Sequence, residues 1–143
     1  MKAKKALFTV ESHTMGEPLR LVVGGIPTLR GNTISEKRQY FIEHYDYMRR
    51  TLMQEPRGHK DMFGCILTEP TMPEADVGAI FMHGEGFHNM CGHGTIATNT
   101  ILVETGMVPV TEPETTVKME APAGLVTVHV QVEDGHAKSV SFE

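Results

Sequence analysis

The chain has no run approaching the ~18 consecutive apolar residues of a membrane-crossing helix, which argues against a membrane span. Lys2, Lys4 and Lys5 stand near the start, but no apolar stretch follows them. Glu11, Ser12 and His13 come at once, so a secretory leader is not expected. Basic excess is missing too. Thirteen Lys and Arg against 18 Asp and Glu leave a net charge of −5, which argues against sequence-independent nucleic-acid binding. Cysteine is scarce, with only Cys65 and Cys91; without a leader, free thiols in a cytoplasmic protein are expected. What remains is ordinary: 143 residues, 40% hydrophobic and 22% charged, fit one domain with one proper core. The ten methionines read most simply as core filler.

Residues 6–12 and 19–23 read as two strands of a hairpin, joined by a polar turn carrying Gly16 and Pro18. Thr33-Ile34-Ser35-Glu36 has the form of a capping box. Phe41, Tyr45, Met48 and Leu52 then recur on one helical face, which reads as a core face and not as a cofactor platform. Lys37, Arg38, Glu43, Asp46 and Arg49 fall on the other face, and Pro56 and Gly58 stop the helix. Residues 57–61 form a polar loop. Residues 62–68 are a strand in which Cys65 serves as a buried small hydrophobe, and the apolar strand 76–82 is central. A helix over residues 95–104 is apolar or small on most sides, so it is buried on most sides, with Gly106 as its C-terminal cap. Strands at 116–120, 125–132 and 137–142 follow, the last two joined by the hairpin dipeptide Asp134-Gly135. The chain stops while its last strand is still running, which suggests a cut.

The stretch around which this is arranged is Asn89-Met90-Cys91-Gly92-His93-Gly94-Thr95. A cysteine at a helix N-terminus faces unpaired N–H groups and the positive end of the helix dipole. Such sites lower a thiol pKa from about 8.5 to between about 3.5 and 7.5, so a stabilised thiolate is expected at Cys91. The glycines allow close backbone approach, and the free amides would hold a carboxylate or phosphate. Several chemistries fit. His83, His88, Cys91 and His93 are permitted zinc ligands, although their spacing is unlike paired structural modules. Cys91 could instead be an acyl-transfer nucleophile, or an acid/base that moves a proton at a carbon acid, or an inert buried side chain. The residues alone leave these open.

Met90-Cys91-Gly92-His93-Gly94-Thr95-Ile96-Ala97 resembles the first active-site motif of the proline racemase family. Ser12-His13-Thr14-Met15-Gly16-Glu17 is similar to its N-terminal segment, with Met15 in place of alanine. Val22–Pro27, Glu55–His59 with Asp61–Gly64, and Met119–Gly124 add further similar segments. The resemblance implies an α/β fold of the diaminopimelate-epimerase kind, each domain a mixed or antiparallel sheet wrapped round a central helix. It implies that residues 1–143 are the N-terminal domain of a two-domain enzyme, whose second motif, and with it the second domain, is not in this chain. The implied activity is racemisation or epimerisation at Cα of proline or hydroxyproline by two cysteines, with neither metal nor other cofactor. Cys91 would be one acid/base, the turn Gly92-His93-Gly94 would hold the substrate carboxylate, and Phe63 would wall the pyrrolidine ring. Trans-3-hydroxyproline dehydratase is the alternative within the family, and a non-catalytic ligand- or zinc-binding module the alternative outside it. The expected partner is thus a small amino-acid substrate, with a homodimer expected of the full-length protein and no racemisation by this chain alone.

Overall fold

The computed structural model describes residues 3–143. Ten elements follow in order: β1 (Phe8–Thr14), β2 (Glu17–Gly24), α1 (Ile34–Met53), β3 (Phe63–Thr68), β4 (Val77–His83), β5 (Gly86–His88), α2 (Gly92–Glu104), β6 (Glu114–Ala121), β7 (Gly124–Glu133) and β8 (His136–Phe142). All strands share one sheet in the order β1-β2-β3-β4-β6-β7-β8, with β5 also on β4. The three terminal hairpin pairings are antiparallel, and crossovers make β2/β3 and β4/β6 parallel. Val77 and Gly78 of β4 pair with β6, whereas Phe81–His83 pair with β5 on the same edge.

The sheet curls so that β1 and β8, its two ends, both touch α2, which also packs on β2, β3 and β7. α1 covers the outer face, against β3, β4 and β6. Alternation along the strands feeds two cores. Leu19, Leu21, Cys65, Phe81, Val128 and Val130 face α2, whereas Val22, Ile66, Ile80 and Met82 face Phe41, Met48 and Met53 of α1. Because β3 and β4 are covered on both faces, they read as continuous apolar runs without alternation.

Thr33 caps α1, its hydroxyl accepting from Glu36 N at 3.1 Å, but Glu36 reaches back to Asn32 N (2.6 Å), one residue beyond the usual capping-box partner. Phe41, Met48 and Leu52 are buried as the periodicity predicts, while Tyr45 leaves helical geometry (φ −135°, ψ 16°) and is half-buried. Two residues of the charged face are nevertheless buried. Lys37 (8% exposed) donates to Glu69 O at 2.5 Å. Arg49 (7% exposed) holds Asp46 and the carbonyls of His83 and Gly84. Long stems lie along apolar surface while their heads find fixed acceptors, a pairing that charge patterning does not show.

α2 starts at Gly92, earlier than the apolar pattern predicts, because His93 and Gly94 are helical without being apolar. Thr95, Ala97, Thr98, Asn99, Ile101, Leu102 and Val103 are buried, as expected of a helix with no polar face. Its end is a Schellman turn: Gly106 (φ 71°) donates to Val103 O at 3.2 Å and Met107 to Leu102 O at 2.9 Å. The β7–β8 hairpin turns on Asp134 (φ 53°) and Gly135 (φ 78°), the left-handed pair expected of Asp-Gly. β5, three residues long, was not anticipated by the residue pattern.

Candidate active site

Cys91 is the N-cap of α2, in extended backbone (φ −139°, ψ 115°), and its side chain makes no capping hydrogen bond. Thr95 N is taken by Cys91 O at 2.9 Å, which leaves the amides of Gly92, His93 and Gly94 without an intrahelical acceptor. Gly94 is buried against the thiol. A Cβ built there would meet Phe81 Cε1 at 3.0 Å and Cys91 Sγ at 3.1 Å, so even a methyl group fits only if these neighbours give by a few tenths of an ångström. At Gly92 the nearest atom to such a Cβ is Phe142 Cζ, at 3.8 Å.

His93 is half-buried beside the thiol, with Nδ1 3.5 Å from Cys91 Sγ, while its Nε2 is buried with no partner among the described residues. Phe63, on the inner face of β3, stands edge-on to His93 with centroids 4.6 Å apart. Four hydrogen bonds, from β1, α1 and the β6–β7 turn, pin the surrounding turn. Thr14 donates to His93 O (3.2 Å), Ala123 to Asn89 O (3.2 Å), Arg38 to Asn89 Oδ1 (2.8 Å), and Arg49 to Gly84 O (2.8 Å). The structure therefore brings Cys91, Gly92, His93, Gly94 and Phe63 together at one end of the sheet. A surface cavity of about 490 Å³, lined by Val23, Lys37, Asp76 and Met107 among others, lies at the other end of α2.

The expected depression of the Cys91 pKa is overturned. Burial pushes the thiol above its ordinary value, Glu17 adds to that push, and the nearby Gly94 amide offsets them only in part. The helix terminus favours a thiolate, but a thiol only 9% exposed has lost the water that would solvate its charge. Cys65, fully buried in the inner core, is pushed up to about 12 by burial, in keeping with an inert side chain. The zinc reading fares poorly. His83 and His88 stack ring on ring at 4.4 Å, and no group of three or more His, Cys, Asp or Glu side chains is placed to hold a metal ion among the described residues. Residue spacing in the chain placed the four candidate ligands nearby but said nothing of ring orientation.

Residues 9–143 match the family model described as proline racemase. The chain is 54% identical over 142 residues to a proline racemase of Clostridioides difficile, an alignment covering 99% of this chain and 42% of that protein. It is 46% identical over 143 residues to a trans-3-hydroxy-L-proline dehydratase of Bacillus thuringiensis subsp. konkukian, covering 100% of this chain and 43% of the relative. Among solved structures, a hydroxyproline epimerase from Agrobacterium vitis with bound trans-4-hydroxy-L-proline superposes with a TM-score of 0.91 at 30% identity, over 99% of this chain and 42% of that one. The chain thus spans less than half the length of these relatives, and its sheet wrapped round α2 is the diaminopimelate-epimerase-like fold they share. With a family model matched over nearly all its residues and the same fold in the solved relative, the chain belongs to the proline racemase family.

Proposed function

We propose that this chain supplies one half of a two-base site that inverts the α-carbon of proline or a hydroxyproline, with Cys91 as one acid/base. The observation that carries the reading is the thiol of Cys91 beside three amides lacking intrahelical acceptors, with Phe63 as an apolar wall. The amides hold the substrate carboxylate, as helix N-termini hold anions, and so bring Cα over the sulfur. Because burial raises its pKa, Cys91 rests as the thiol and acts first as the acid. A base on the opposite face takes the Cα proton, Cys91 gives its own to the near face, and the configuration inverts. No cofactor takes part in this reading.

The opposing base belongs to a second domain, so the 143-residue chain alone should leave the optical rotation of L-proline unchanged. Any turnover by the chain alone would overturn the half-site reading. In a protein carrying both domains, Cys91→Ala should abolish the loss of optical rotation of L-proline. Racemisation at the wild-type rate would remove Cys91 from the mechanism.

A further inference from the structure

β5 alternates so that Phe87 turns outward, edge-on to Phe41 of α1 at 6.0 Å, and His88 turns inward to the Cys91 end of the sheet. There His88 lies nearly parallel to Phe63 (centroids 5.8 Å, 20° between planes) and stacks on His83 at 4.4 Å and 25°. The wall expected to be apolar is thus a Phe63 ring continued by two imidazoles. His83 is oriented from behind, its Nδ1 accepting from Glu85 N at 3.3 Å, which leaves the proton on Nε2. Burial, then the neighbouring His88, hold the His83 pKa below its ordinary value, which favours its neutral imidazole. The His88 ring nitrogens make no hydrogen bond among the described residues, although Arg38 fixes the strand through His88 O (3.4 Å) and Asn89 Oδ1 (2.8 Å). A half-buried imidazole is therefore held in place without a polar partner, beside the same Phe63 ring that His93 meets edge-on.

We propose that His88, steadied by its stack on His83, reads the substituent on the substrate ring, and that the site is built for a ring-hydroxylated proline in preference to proline. This rests on the reading above, in which the carboxylate lies on the amides of Gly92 and His93 and the ring extends along Phe63. A ring hydroxyl then meets an imidazole that can donate or accept, whereas unsubstituted proline covers that imidazole with a methylene and takes away its water. Sites that hydrogen-bond a substrate hydroxyl discriminate against the analogue lacking it more strongly than apolar pockets do.

The test is a titration of the whole chain by backbone and aromatic NMR, with trans-4-hydroxy-L-proline and L-proline as probes. The hydroxylated probe should bind about tenfold tighter and shift the His88 ring signals, while both probes shift the amides of Gly92–Gly94. His88→Leu should remove the preference by weakening binding of the hydroxylated probe and tightening that of L-proline, and His88→Gln should restore part of it. Equal affinities, or a preference that survives His88→Leu, would overturn the inference and leave the carboxylate cradle standing. No response at Gly92–Gly94 to either probe would overturn the cradle itself, and this inference with it.

Discussion

Replacing Arg49 by Met tests the claim that a buried charge on the charged face of α1 anchors the candidate site. The guanidinium forms a fork to Asp46 (2.8 and 2.9 Å) and donates to His83 O (3.0 Å) and Gly84 O (2.8 Å), with its centre 5.6 Å from the Phe87 ring. Methionine keeps the apolar stem and removes every donor. Breaking a buried charge pair costs about 3–5 kcal/mol. The lower end applies here, because Asp46 reaches water and Gly84 O keeps Gln54 Nε2 at 2.7 Å. A loss of about 3 kcal/mol is a large part of the roughly 5–15 kcal/mol that holds a domain folded. At about 2–4 °C per kcal/mol, Tm should fall by roughly 6–12 °C, and the urea midpoint by about 1.5 M at an m-value near 2 kcal/mol/M. Arg49→Lys, which keeps a charge and loses the fork, should fall between. The effect should also depend on pH. The hydrogen bond from Arg49 holds the Asp46 carboxyl below its usual value, so this stability is present above the unfolded pKa and lost as pH falls through the folded one. The gap between wild type and Arg49→Met should therefore narrow below about pH 4. A Tm change under about 2 °C at pH 7 would show that the buried fork contributes nothing over hydrated groups.

Three other outcomes follow from the same structure. Iodoacetamide should modify Cys91 more slowly at pH 7 than it does a free thiol, and Cys65 only on unfolding, because burial raises both pKa values; fast Cys91 labelling below pH 7 would refute this. Gly94→Ala should displace Cys91 Sγ by a few tenths of an ångström and cost about 1–3 kcal/mol, since overpacking against Phe81 outweighs the helix-propensity gain; unchanged urea stability would contradict it. Burial pushes the Glu120 carboxyl up, but the hydroxyl of Thr71 and the amides of Thr71 (2.6 Å) and Met72 (3.0 Å) more than reverse that, leaving it below the usual range. Glu120→Gln should thus cost about 1–3 kcal/mol at pH 7, and this difference should shrink as pH drops below about 4; a pH-independent difference would refute the assignment.

Periodicity and turn chemistry carry much of the fold on their own. Phe41, Met48 and Leu52 mark the buried face of α1, the lack of a polar face on α2 requires its burial, and Asp134-Gly135 can be little other than a hairpin turn. The cluster of Cys91, Gly92, His93 and Gly94 is legible because one helix terminus, a local feature, builds it. Phe63 could be added only through resemblance, since nothing near it in the chain shows that β3 ends beside α2. β5 escaped notice because three residues cannot establish a period, and with it escaped the inward turn of His88.

The amino-acid sequence by itself determined the helix faces, the hairpins and a cysteine at a helix mouth, since each depends on neighbours within a turn or two. Tertiary structure alone decided the burial of Lys37 and Arg49, the stacking of His83, His88 and Phe63, and the upward push on the Cys91 thiol. Those depend on which distant groups displace water, and solvation is a property of the assembled sheet and helices that no local spacing records.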